Sequence, residues 1–191
     1  MKKIYLIRHG ESVGNAGKST ADHRSMPLTE KGWAQARALA EKIDVVPELI
    51  AISPFTRAQQ TAKPMQEKFP NVRVETWSEA YEFTYLAPDS CRNTTAEERL
   101  PRVMEYWERL KPDYIDGEGA ESFNSFAKRA EVVLEKLRQR SEQRIFLFSH
   151  AQFIACLCLL AKDTGASGSE LMKAFRKVPL LHNTEYQCLC L

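Results

Sequence analysis

The chain has 191 residues, of which 43% are hydrophobic and 27% charged. That length suits one domain able to bury its own core, and that balance excludes a disordered chain. Lysine and arginine number 27 against 25 acidic residues, a formal charge of +2, so no global field favours a nucleic acid or a membrane surface, and any anion site must be a local cluster.

No apolar run reaches the length that spans a bilayer. The basic start at Lys2 and Lys3 runs into Arg8-His9-Gly10-Glu11 too early for a signal peptide. The five cysteines are an odd number, which does not suit a disulfide framework, and the expected location is the cytoplasm. Cys156-Leu157-Cys158 falls in a helical stretch and Cys188-Leu189-Cys190 in a strand, and both pairs read as buried free thiols.

Residues 3–7 form a short apolar run that predicts a buried strand. Thr29 is an N-cap for a helix whose apolar stripe is Trp33, Ala36, Ala40 and Ile43. Residues 49–53 predict a second strand, with Pro54 suited to the first position of the next helix and Pro64 expected to kink or end it. Residues 72–75 are a weaker third strand. The stretch from 83 to 119, rich in proline and aromatics, reads as a cap-like insertion. Within it Thr94/Glu97 and Thr95/Glu98 are overlapping capping boxes, and Leu100, Val103, Met104, Trp107 and Leu110 a helical stripe. Ser122 caps the clearest amphipathic helix, marked by Phe123, Phe126, Ala130, Val133, Leu134 and Leu137. Residues 145–149 predict an apolar strand, 152–161 a buried helix, 167–178 a further helix ended by Pro179, and 184–191 a last strand. Strands alternating with helices predict an α/β fold, a three-layer α/β/α sandwich with a mostly parallel central sheet, as a single domain over 1–191.

Ligands of open α/β sheets bind beyond the carboxyl ends of the strands. There the first strand delivers Arg8, His9 and Glu11, the second Ser53 and Arg57, the third Glu79 and Glu82, and the 145–149 strand His150. Two guanidinium groups and two imidazoles on one rim repel each other and call for an anion. The planar fork of arginine matches phosphate, and a neutral imidazole beside it can attack phosphorus. A nearby carboxylic acid can protonate the leaving oxygen. Gly10 would let the backbone approach the phosphoryl group.

Arg8-His9-Gly10-Glu11-Ser12 with Asn15, the block Leu28 to Ala36, the block Ser53 to Ala62 and Phe148-Ser149-His150 resemble, in order, the motifs of the histidine phosphatase superfamily, also called phosphoglycerate mutase-like. The likeness spans essentially the whole chain. It implies a metal-independent phosphomonoester hydrolase of the phosphatase branch, with no cofactor. His9 would be the nucleophile that becomes phosphohistidine, with Arg8, Asn15, Arg57 and His150 on the phosphoryl oxygens. The proton donor would be Glu82 by its spacing after the third strand, with Glu79 in reserve. The substrate would be a phosphorylated small molecule or a phosphoprotein, with no nucleic acid or membrane partner and the oligomeric state open.

Two departures stand out. Ala151 follows His150 where the family has glycine, and Phe83-Thr84-Tyr85-Leu86 replaces the glycine and tryptophan that follow the acid. Glu121 and Ser122 are second-tier site candidates, while His23 and His182 belong to no block and read as surface or loop. A phosphoglycerate-type phosphomutase and an inactive phosphate-binding module are the alternative functions. A metal hydrolase lacks its His-Glu-x-x-His pair, and a serine hydrolase its nucleophile elbow.

Overall fold

The computed structural model describes residues 1–162, 165 and 168–191. Its strands β1 (Lys3–Arg8), β2 (Leu49–Ile52), β3 (Arg73–Thr76), β4 (Arg144–Ser149) and β5 (Tyr186–Cys190) form one sheet in the order β3-β2-β4-β1-β5. The first four are parallel, and β5 runs antiparallel to β1 at the edge.

The apolar runs are continuous because both sheet faces are covered. On one face Ile7, Ile50, Ile52, Phe146 and Phe148 meet Leu39, Ala40 and Ile43 of α1 (Glu30–Lys42) and its flank, with Ala58, Ala62 and Met65 of α2 (Thr56–Lys68). On the other, Ile4, Leu6, Leu49, Ala51, Ile145 and Leu147 meet α5 (Phe123–Gln139), α6 (Ala151–Lys162) and α7 (Gly168–Phe175). The three-layer α/β/α sandwich is thus as expected. The helices after the two central strands leave to opposite faces, α1 after β1 and α6 after β4, and a crevice opens above the carboxyl ends of those strands.

The insertion carries α3 (Pro88–Cys91) and α4 (Ala96–Arg109). Phe83 stacks on Phe126 at 4.2 Å and Trp107 on Phe175 at 5.6 Å, so aromatic pairs fasten this segment to α5 and α7.

Several local expectations are corrected. Pro54 is not the first helical residue: Phe55 N–H donates to Ser53 Oγ, and α2 begins at Thr56. Pro64 neither ends nor shortens α2, which runs on to Lys68 because Ala58, Ala62 and Met65 are buried on the sheet and that packing outweighs one missing hydrogen bond. Pro101 likewise lies inside α4, whose start is set by the Thr95/Glu98 capping box. The stripe expected on α4 is buried only in part: Val103 and Trp107 pack against the core beside Tyr106, which the stripe did not include, whereas Leu100 and Met104 are more than half exposed. The 167–178 helix ends earlier, at Phe175, and its expected first residue Ser167 lies outside the described residues. Cys156 is buried, but Cys188 and Cys190 are exposed, since β5 is an edge strand whose alternate side chains face solvent.

Candidate active site

His9 continues the β1–β4 ladder, its N–H donating to Ser149 O at 3.1 Å. The two strand ends are therefore held abreast, and the His9 and His150 rings lie 5.1 Å apart. His9 Nδ1 lies 2.7 Å from Gly10 O, a contact only a protonated Nδ1 makes as a donor, and that leaves the lone pair on Nε2. Arg57 Nε donates to that Nε2 at 3.1 Å. Arg57 is held by Nη1 donating to His23 O at 2.6 Å and by its guanidinium packing on the Phe55 ring.

The rim is deeply buried for such polar residues, with His9 4%, Arg57 6% and His150 0% exposed. Burial, followed by the charge of Arg57, holds both imidazoles well below the usual histidine range. Burial also lowers the guanidinium of Arg57, to about 10, and that of Arg8, against the opposing pull of Glu82 on each. Two guanidinium groups and two suppressed imidazoles, countered only in part by Glu82, are electrostatically poised for an incoming anion.

His150 Nε2 lies 2.8 Å from Ser53 Oγ, while its buried Nδ1 has no partner among the described residues. Arg8 Nη1 donates to Leu181 O at 2.5 Å, and its buried Nε is likewise unmatched. These free donors are what a phosphoryl group would satisfy.

Glu82 follows β3 by six residues. Its carboxylate accepts from Phe83 N at 3.0 Å, Phe153 N at 3.1 Å and Gln152 N at 3.3 Å, the last two in the first turn of α6. Burial raises its affinity for the proton even so, opposed by those N–H groups and by Arg57. Glu82 and Arg57 line one cavity, whereas Glu79 lies outside it with a buried, unpartnered Oε2.

Asn15 is exposed; its Oδ1 accepts from Ser12 N at 3.2 Å and Ser12 Oγ at 3.1 Å. Asn183, which no sequence motif marked, donates to His9 O at 3.0 Å and Asn15 Oδ1 at 3.2 Å, tying the segment before β5 to the end of β1. His23, read as a surface residue, lines the cavity, with Nε2 3.3 Å from Thr84 Oγ1 and its carbonyl on Arg57. Ser53, placed on the rim by its strand, has a contact with His150 that became visible only in three dimensions. Glu121 and Ser122 stand back from the cavity: Glu121 pairs with Arg129 at 2.6 Å and accepts from Thr84 N at 3.0 Å, while Ser122 caps α5. Arg129 in turn donates to Glu79 O and Tyr81 O, which fixes the turn that aims Glu82.

Gly10 has a packing role besides the one expected of it. A Cβ there would stand 2.7 Å from Gly32 O, and one on Gly32 would stand 2.1 Å from Glu11 O. Two glycines thus let the strand end and α1 touch backbone to backbone. Ala151 is accommodated because it opens α6 in helical conformation, where a Cβ costs nothing.

Comparison with known proteins bears on this arrangement. The family model described as histidine phosphatase superfamily (branch 1) matches residues 4–187. The adenosylcobalamin/alpha-ribazole phosphatase of Salmonella typhi is 29% identical over 161 residues, covering 81% of this chain and 77% of that protein. A 2,3-bisphosphoglycerate-dependent phosphoglycerate mutase of Gloeobacter violaceus is 42% identical over 64 residues, a segment covering 33% of this chain and 29% of the mutase. Among solved structures, the alpha-ribazole phosphatase of Shigella flexneri superposes with a TM-score of 0.74 at 22% identity over 97% of this chain and 89% of that one. The phosphoserine phosphatase of Entamoeba histolytica in complex with 3-phosphoglyceric acid gives 0.76 at 23% identity, over 98% and 90%. With its four motifs gathered on one rim and the family model spanning nearly all its length, the chain belongs to the histidine phosphatase superfamily, branch 1.

Proposed function

We propose that the protein is a metal-independent phosphomonoester hydrolase that works through a phosphohistidine on His9. The observation that carries this reading is the tautomer: Nδ1–H is tied to Gly10 O, so the Nε2 lone pair faces Arg57 in the buried rim. In the first step Nε2 attacks phosphorus in line, the P–N bond forms and the P–O bond to the leaving group breaks. Arg57, Arg8 and His150 neutralise the phosphoryl oxygens as charge spreads over them, with Asn15 at the mouth. Ser53 donating to His150 Nε2 keeps the proton on Nδ1, free to donate to the phosphate.

Glu82 gives its proton to the leaving oxygen, and burial keeps that proton available. In the second step the Glu82 carboxylate takes a proton from water, whose oxygen attacks phosphorus and returns His9 to its neutral form. The kinship with a Salmonella phosphatase over most of both chains supports hydrolysis. A phosphomutase draws on the 64-residue likeness to the Gloeobacter enzyme, and conversion of phosphoglycerate to its isomer in place of free phosphate would favour it.

The test is a labelled phosphomonoester mixed with enzyme and quenched: an acid-labile, base-stable protein adduct is expected, unaffected by a chelator. Absence of the adduct on the wild-type protein, or full turnover by His9→Ala, would overturn the proposal. Tight phosphate binding without turnover across a broad panel would mark an inactive binding module instead.

A further inference from the structure

The cavity lined by Arg57 and Glu82 encloses about 260 Å³ between the segment holding Thr20 to Met26 and the insertion. Three arginines line it, and two are accounted for. Arg57 rests on His9. Arg92 is neutralised by Asp89 at 2.9 Å. Arg99, half-buried on α4, is anchored through Nη1 alone, which donates to Thr94 O at 2.7 Å and Thr94 Oγ1 at 2.9 Å. Among the described residues it forms no ion pair. Thr94 itself is bridged to Thr20, so this guanidinium is fixed where the two walls of the cavity join.

The other acidic groups in the cavity are already engaged. Asp22 accepts from Arg24 N and Ser25 N, and Glu82 is held by backbone N–H groups at the reacting end. A half-buried guanidinium that is held on one edge and faces a cavity presents its remaining planar donors in a fixed orientation, which suits a carboxylate or a phosphoryl group.

We propose that Arg99 binds a second anionic group on the organic part of the substrate, so that this chain takes phosphomonoesters that also bear a carboxylate or a second phosphoryl group, their body lying against Phe83 and Tyr85. The assignment rests on the hydrolase reading above, and Arg99 is its specificity-determining residue. Thr94 and Thr20 are positioning residues that keep the guanidinium at a fixed place relative to His9.

Three aryl substrates of similar leaving group test it: phenyl phosphate, 4-carboxyphenyl phosphate and benzene-1,4-bisphosphate. In the wild-type protein kcat/KM is expected to favour the better of the two acid-bearing compounds over phenyl phosphate by about ten- to a hundredfold, and which of them leads identifies the anion. In Arg99→Gln that ratio should collapse towards one, chiefly through KM, while Arg99→Lys retains part of it. Stabilisation of each variant by inorganic phosphate in a thermal melt shows that the fold and the His9 rim persist. A wild-type ratio near one, or an unchanged ratio in an Arg99→Gln protein that still binds phosphate, overturns the proposal while leaving the His9 chemistry standing. No turnover of any of the three and no protein adduct would bring down the hydrolase reading itself, and this inference with it.

Discussion

In the proposed reaction His9 attacks phosphorus only while Nε2 is unprotonated, and Glu82 serves the leaving group only while it holds its proton. The buried rim pushes the two titrations in helpful directions: His9 well below its usual range, Glu82 above the ordinary carboxylate range. The acidic limb of kcat/KM is therefore expected below pH 6.5, the ordinary value for histidine. Activity should fall as pH rises through the elevated Glu82 pKa. Glu82→Gln should abolish that alkaline limb and cost roughly 10²–10⁴-fold on an alkyl phosphate, yet far less on p-nitrophenyl phosphate, whose leaving group needs no proton. Equal losses on both substrates would remove Glu82 from this part. At this scale His9, Arg8, Arg57 and His150 were legible because each ends a strand or opens the following helix. Ser53, His23 and Asn183 were not, since a serine after a strand or an asparagine in a turn has no pattern that marks a hydrogen bond to a distant chain segment.

Helix α1 meets the segment after β1 through Gly32, which sits inside the helix where glycine normally costs about 1 kcal/mol against alanine. Gly32→Ala should nevertheless destabilise the protein by about 1–3 kcal/mol, because its Cβ would collide with Glu11 O and force β1 and α1 apart. Urea midpoints measure this, and a stabilised variant would show that the helix end yields. The α5 pair of Arg129 with Glu121 has a comparable bearing on Glu82. Arg129→Gln leaves Glu121 partly buried without its partner and frees two carbonyls, at a cost of about 3–5 kcal/mol. Its kcat should fall with it, read at a temperature where the variant is folded; an unchanged kcat would mean that the turn holds its shape unaided. The elements themselves followed the apolar periodicity. The prolines of α2 and α4 misled because a steric rule for an isolated helix is weaker than burial of a whole helix face.

Burial and the neighbouring guanidinium groups favour the neutral forms of His9 and His150 in the folded molecule. Both have folded-state pKa values below the ordinary 6.5, so the unfolded chain binds more protons there, and stability is lost as pH falls from about 6.5 towards the depressed values. Each histidine contributes a slope of up to about 1.4 kcal/mol per pH unit within that window. The thermal midpoint should drop between pH 7.5 and 5.5. His9→Asn with His150→Asn should flatten the drop, and a profile as steep as wild type would place the acid sensitivity elsewhere. Inorganic phosphate at a hundred times its Kd should add about 2.7 kcal/mol.

Strand and helix order, the two-faced burial of the sheet and the four rim residues were all written in periodicity and in polar residues at strand ends, because both are local signals repeated along the chain. Which acid faces the cavity, which face of α4 points inward, why Gly10 and Gly32 are glycines and which cavity arginine forms no ion pair among the described residues depended on segments far apart in sequence. Only the packing of one layer on another brings those segments within hydrogen-bonding distance, and no local pattern encodes that distance.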